Sequence, residues 1–341
     1  MSDAVSGQAT AALAESRPGL LGRTGMVLAT LVAVAVLPVL LPDSYWRGVL
    51  IICALNVIQA LGLDFILGYA GQLNLGASAF YGIGAYVSTL LVTQGGIGFW
   101  PALALGTAAA GVMGMGLAVL AARLRGHYLA IASLGFAVIT YQVLLNWISV
   151  TQGPLGIYGI TPPPGLTLPG LGTVDFSDQA ALFYLIAGIA LLVYAVLRAL
   201  IDSPIGETLA AIREDEISAS SLGINCRRWK VFAFGIGSAV AGLGGCLYPG
   251  FAGTLVPDAF TPTEAFGVLA MVIVGGIGTL GGPVLGAVIL TFLPELLRGI
   301  GDARLIVYGL ALTLVVLFAP GGLAAIWRAA VGRLRRHGGR R

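Results

Sequence analysis

Charge is scarce in this sequence. Asp, Glu, Lys and Arg together make up 10% of its 341 residues, against roughly 25% in soluble domains. A body of this length could not cover itself with so little polar surface in water, so a soluble globular class is excluded. Lysine is nearly absent: Lys230 stands alone among 18 basic residues. The basic residues flank apolar segments and form no aromatic-studded patch, which argues against nucleic acid as a partner. The three cysteines, Cys53, Cys226 and Cys246, make no C-x-x-C pair, so neither a metal nor a redox site is indicated. The two histidines, His127 and His337, neighbour no cysteine or paired carboxylate. A membrane enzyme therefore fails for want of reactive residues. No phosphate loop of the form G-x-x-x-x-G-K-S/T occurs. If ATP drives this protein, another subunit must bind it, and the chain needs no cofactor of its own.

What the sequence has is apolar length. Hydrophobic residues make up 57% of the chain, and the mean hydropathy is +0.95. Its 51 glycines are about twice the usual share of about 7%. Beside long apolar runs they point to helices packed through small residues. Runs long enough to span a bilayer, about 20 residues each, give about ten helices. They lie near 24–42, 48–67, 77–94, 100–122, 128–149, 179–201, 230–249, 263–280, 283–298 and 304–326. The expected fold class is an all-α integral membrane protein with glycine-rich broken segments and a weak two-half pseudo-repeat. The run Met26 to Leu41 lacks a cleavage pattern after it and reads as a retained first helix. The expected division is a tail at 1–23, a transmembrane domain at 24–327 and a basic tail at 328–341.

Charge placement sets the orientation. With both termini cytoplasmic, the inner segments hold Arg123, Arg125, Arg213, Arg227, Arg228, Lys230 and the arginine-rich end of the chain. The outer loops then hold only Arg47, Arg298 and Arg304. That asymmetry is the positive-inside pattern of a multi-pass membrane protein, and a bacterial inner (plasma) membrane is the expected location. The outer loop 150–178 is rich in Pro and Gly and carries no basic residue. It suits either a cover over the bundle or a surface for an external partner.

The inner loop 202–229, DSPIGETLAAIREDEISASSLGINCRRW, carries most of the internal charge. Ser203 before Pro204 is a helix start, and Gly223 is a helix stop. Leu209, Ile212, Ile217 and Leu222 recur at helical spacing. One short amphipathic helix or two, with a break near Asp215, fit the groove of another protein. A helix resting on lipid is the plainer reading, but Glu214, Asp215 and Glu216 would be repelled by an anionic leaflet.

Two further stretches interrupt the apolar pattern. Residues 68–86, GYAGQLNLGASAFYGIGAY, put Gly68, Gly71, Gln72, Asn74 and Gly76 at membrane depth. Irregular backbone there must be buried or line a wet cavity. Asn56, Gln59, Gln72 and Asn74 are candidates for a translocation path, with interhelical hydrogen bonding as the equal alternative. Asp64 lies in the same neighbourhood, and a buried acid there implies a partner or a role. Residues 263–286, TEAFGVLAMVIVGGIGTLGGPVLG, form the second break, with Glu264 near its outer start.

These three stretches, in this order, resemble the LivM-type permeases of the LivH/LivM family of branched-chain amino acid ABC importers, over about residues 48–325. AIREDEISASSLGIN is similar to that family's loop for docking on the ATPase. The resemblance implies a permease subunit of an importer. Its partners would be a sister LivH-like permease, two ABC ATPase subunits, an external solute-binding protein and the lipid bilayer. It places Arg213, Glu216, Ile217, Ala219 and Gly223 in the docking loop. The sequence departs from the family at Ala77, in a stretch where relatives carry histidine. That leaves urea, amides or aromatic acids open beside branched-chain amino acids. A stand-alone ion-coupled transporter is the rival, with Asp64 and Glu264 as its ion-site candidates.

Overall fold

The computed structural model describes residues 43–121, 127–168 and 172–300, with 309, 310, 313, 322 and 323. The expected helix at 24–42, most of that at 304–326, and both tails lie outside the described residues. The chain divides into a unit of residues 1–47 and a unit of residues 48–341. Of the first, only the start of one helix is described; the remaining elements belong to the second.

Helix α1 runs Ser44–Asp64 and continues as a π-helical turn, Phe65–Tyr69. Next come α2 (Ala77–Thr93), α3 (Phe99–Leu120), α4 (His127–Asn146) and α5 (Gln179–Ile201). Two short helices come after them, α6 (Pro204–Glu214) and α7 (Glu216–Ser221). Then come α8 (Cys226–Ala252), α9 (Pro262–Gly275) and α10 (Gly281–Leu296). Five helical segments are long and apolar enough to cross a membrane, among the described residues: α1 with its π turn, α3, α4, α5 and α8. The apolar helices α2, α9 and α10 are shorter. Among the described residues, the expected all-α class is departed from only in two small ribbons. In one, β1 (Ile157–Tyr158) pairs antiparallel with β4 (Thr254–Leu255). In the other, β2 (Leu166–Leu168) pairs with β3 (Gly172–Val174).

Helices α1 and α8 are buried over most of their length, whereas α3, α4 and α5 are buried over less than half. Small residues make the central contact. A side chain at Gly84 on α2 would run into the backbone of Gly242 on α8, and one at Gly62 on α1 would meet the Gly237 carbonyl at 2.7 Å. Backbones this close gain van der Waals contact that large side chains would forbid, which substitutes for a hydrophobic drive that lipid does not supply. Phe80 is wholly buried and stacks on Phe136 at 5.4 Å and against Phe234 at 5.9 Å. The outer helices keep apolar side chains on their exposed faces, among them Val112, Ile131, Ile139 and Leu192, an arrangement that suits lipid as solvent.

Helices α9 and α10 are about 21 and 24 Å long at 1.5 Å per residue, short of a core of about 30 Å. They fold against each other as a hairpin, with Gly286 against the carbonyl of Met271 and Gly275 against Gly282. The apolar pattern predicts that the first of these helices runs on to residue 280. It ends at Gly275 because Gly276 and Gly278 take positive φ, 119° and 76°, which glycine alone adopts without strain.

Candidate functional site

The loop between α5 and α8 folds as the expected pair of short helices, and its boundaries come from local capping. Ser203 Oγ accepts a hydrogen bond from Ile205 N, with Pro204 in the first turn. Asp215 ends α6 in extended conformation and caps α7, accepting from Ile217 N at 2.9 Å and from Ser218 Oγ at 2.7 Å. The Ser218 hydroxyl, with the Ile217 and Ser218 amides, holds the Asp215 carboxyl below the usual carboxylate range. Gly223, at φ 84°, stops α7, and Ile224 N returns to the Ala219 carbonyl.

The hairpin has two faces. Leu209, Ile212 and Ala219 are buried. Leu209 packs with Leu61, Phe65 and Leu197 of the long helices, while Ile212 and Ala219 pack with Cys226. On the other side Ile217 is 71% exposed and Leu222 80%. Of the residues expected in a docking loop, Ile217 projects outward and Ala219 is part of the hairpin's buried seat. Glu216 is half-buried and its Oε2 lies 2.7 Å from Lys230 Nζ.

Arg213 reaches away from its own helix. Its guanidinium donates to the Gly68 carbonyl in the π turn. Its stem crosses Gly71, where a Cβ would stand 3.0 Å from Arg213 Cγ. The same guanidinium borders Gly278, where a Cβ would lie 2.8 Å from its terminal nitrogen. Asp64, with no exposed surface, accepts a hydrogen bond from Gly278 N at 2.8 Å. Its other oxygen has no hydrogen-bond partner among the described residues. The three stretches singled out in the sequence therefore meet at one place: α6, the first glycine break and the second.

The candidate path residues are divided. Asn56 donates to Thr291 Oγ1 on α10 at 2.9 Å, and Gln59 is buried on α1. Gln72 Nε2 donates to the Lys230 carbonyl at 3.0 Å, tying the first break to α8. Asn74 Oδ1 accepts from Gly76 N at 2.8 Å, shaping the turn into α2. Glu264 lies exposed in the first turn of α9, far along that helix from Gly278. Sequence reading missed Lys230 and Gly278 as partners. For Lys230 a signal existed, since it is the one lysine in the chain and stands where the 202–229 loop enters α8. For Gly278 no local signal separates it from its glycine neighbours.

Three comparisons bear on this arrangement. The family model described as "Branched-chain amino acid transport system / permease component" matches residues 46–320. The chain is similar to the LivM permease protein of the high-affinity branched-chain amino acid transport system of Escherichia coli K12, 37% identical over 91% of this chain and 78% of the relative. The LivM protein of Salmonella typhimurium is 36% identical over the same shares. The LivH permease protein of that organism is 26% identical over 68% of this chain and 78% of its own length. No solved structure matches.

Proposed function

This chain belongs to the family of branched-chain amino acid transport permeases, and we propose that it moves branched-chain or related hydrophobic amino acids inward across a bacterial inner membrane. It is a multi-pass permease subunit of an ABC importer. In this reading a sister permease completes the membrane unit, two separate ATPase subunits bind the nucleotide, and an external protein delivers the solute. Ten membrane crossings with both termini in the cytoplasm fit the asymmetry of its arginines.

The observation that carries the reading is the two-faced hairpin of α6 and α7. Its inner face is seated on the long helices through Leu209, Ile212 and Ala219, while Ile217 and Leu222 stand in the open. Exposed apolar anchors on a short, well-capped helix pair suit a groove on a partner. Closure of the ATPases would push this hairpin, and the helices beneath it would alternate between outward and inward openings. The polar path is assigned to the stretch of α1 and the first break that carries Asn56, Gln59, Gln72 and Asn74. Side chains of this kind, without a fixed ion pair, suit a zwitterion with an apolar tail that must be released as readily as it is bound.

Uptake into proteoliposomes tests this. The chain reconstituted with its co-purified partners should accumulate leucine, isoleucine or valine only with ATP at the ATPase face and the external binding protein present. Uptake by the chain alone under a proton or sodium gradient would refute it.

A further inference from the structure

Docking places force on the outer side of the hairpin, and something must carry it into the membrane body. Apolar packing under Leu209 and Ile212 can slide. A directional polar contact cannot do so without breaking. Along the hairpin one long side chain makes such a contact with the glycine breaks.

We propose that Arg213 is the residue through which the hairpin's movement enters the membrane body, by holding both glycine breaks at once. The inference rests on the docking role proposed above for the hairpin. Its guanidinium donates to the carbonyl of Gly68, at the end of the π turn that closes α1. It also borders Gly278 between α9 and α10. Gly68 and Gly278 touch directly, since no side chain fits at Gly68 between Asp64 and the backbone of Gly278. From inside, Asp64 grips Gly278 N at 2.8 Å. A cation from the hairpin and a buried acid from α1 thus hold the same pair of glycines. Both breaks depart from the regular α-helix, the first through its π turn and the second through positive φ at Gly276 and Gly278, and such departures are where helices hinge. A displaced α6 pulls the Gly68 carbonyl and shifts Gly278 with it. The first break and the α9–α10 hairpin then move together.

Arg213 is a positioning residue in this scheme, not a contact for the ATPase. The full importer, with its co-purifying ATPases and binding protein, separates the two roles. In Arg213→Gln the ATPases stay bound and hydrolyse ATP, but solute moved per ATP falls severalfold. Arg213→Lys recovers part of that ratio. Gly278→Ala, which places a methyl against both Arg213 and Gly68, lowers it too. If Arg213→Gln is poorly inserted, Asp64→Asn with Arg213→Gln removes both charges, and a lowered ratio in that pair has the same meaning. A wild-type ratio in Arg213→Gln or in the pair overturns the proposal. Loss of the ATPases from Arg213→Gln overturns it as well, because Arg213 would then belong to the docking face. The docking role fails by a different sign: a Leu222→Asp variant that keeps its ATPases.

Discussion

Glu216 Oε2 and Lys230 Nζ stand 2.7 Å apart, each about one-third exposed or less, and join α7 to the start of α8. The Lys230 carbonyl also receives Gln72 Nε2 at 3.0 Å. The sole lysine of the chain thus links the α6–α7 hairpin, the first glycine break and the central helix.

Ion pairs that keep contact with solvent contribute under about 1 kcal/mol, so the prediction for this pair concerns position rather than stability. Glu216→Arg sets like charges face to face and turns α7 away from α8. ATP hydrolysis should continue while uptake is lost. Lys230→Glu combined with Glu216→Arg restores an attractive pair and should recover uptake. Normal uptake in the Glu216→Arg single variant would remove the pair from the coupling route.

Gly84 and Gly242 bring the backbones of α2 and α8 together. Gly84→Val should destabilise the chain by about 1–3 kcal/mol, the range for overpacking, or prevent folding. By contrast, Gly116 and Gly188 have open space where a side chain would go. Gly116→Ala and Gly188→Ala should leave the melting temperature in detergent unchanged or raise it slightly, because alanine favours the helix. Equal losses in all three variants would contradict the packing described here.

The Asp215 cap predicts an acid dependence. Its folded carboxyl titrates lower than in the unfolded chain. The stabilisation is therefore present above the ordinary carboxylate range and disappears as pH falls through the folded value. Protection of the α7 amides, with exchange corrected for its intrinsic slowing in acid, should fall at acid pH in the wild type. Asp215→Asn keeps a capping oxygen that does not titrate, and its α7 should lack that acid step. A persistent step in the variant would place the titrating group elsewhere.

Local rules were legible in the sequence and distant ones were not. Ser203, Asp215 and Gly223 act on backbone within a few residues, so their types alone announced the ends of α6 and α7. The apolar pattern predicts a start for α8 at residue 230, which is too late. Hydropathy discounts Arg227 and Arg228, whereas the helix begins at Cys226 because the Asn225 side chain caps it, accepting from Arg228 N. Arg213, Glu216 and Ala219 read alike as docking residues, yet Ala219 is buried beneath the hairpin and Arg213 reaches a carbonyl 145 positions away. Which side of a short helix faces its own protein depends on partners that spacing does not reveal.

The outward face of the hairpin is the claim most directly open to measurement. Single cysteines at Ile217 and Leu222 in the intact importer, treated with a short bifunctional thiol reagent, should each join this chain to an ATPase subunit. Leu209→Cys, on the seated face, should give no adduct. Adducts from position 209 rather than 217 and 222, or labelling of positions 217 and 222 by an impermeant thiol reagent added outside the cell, would contradict the account.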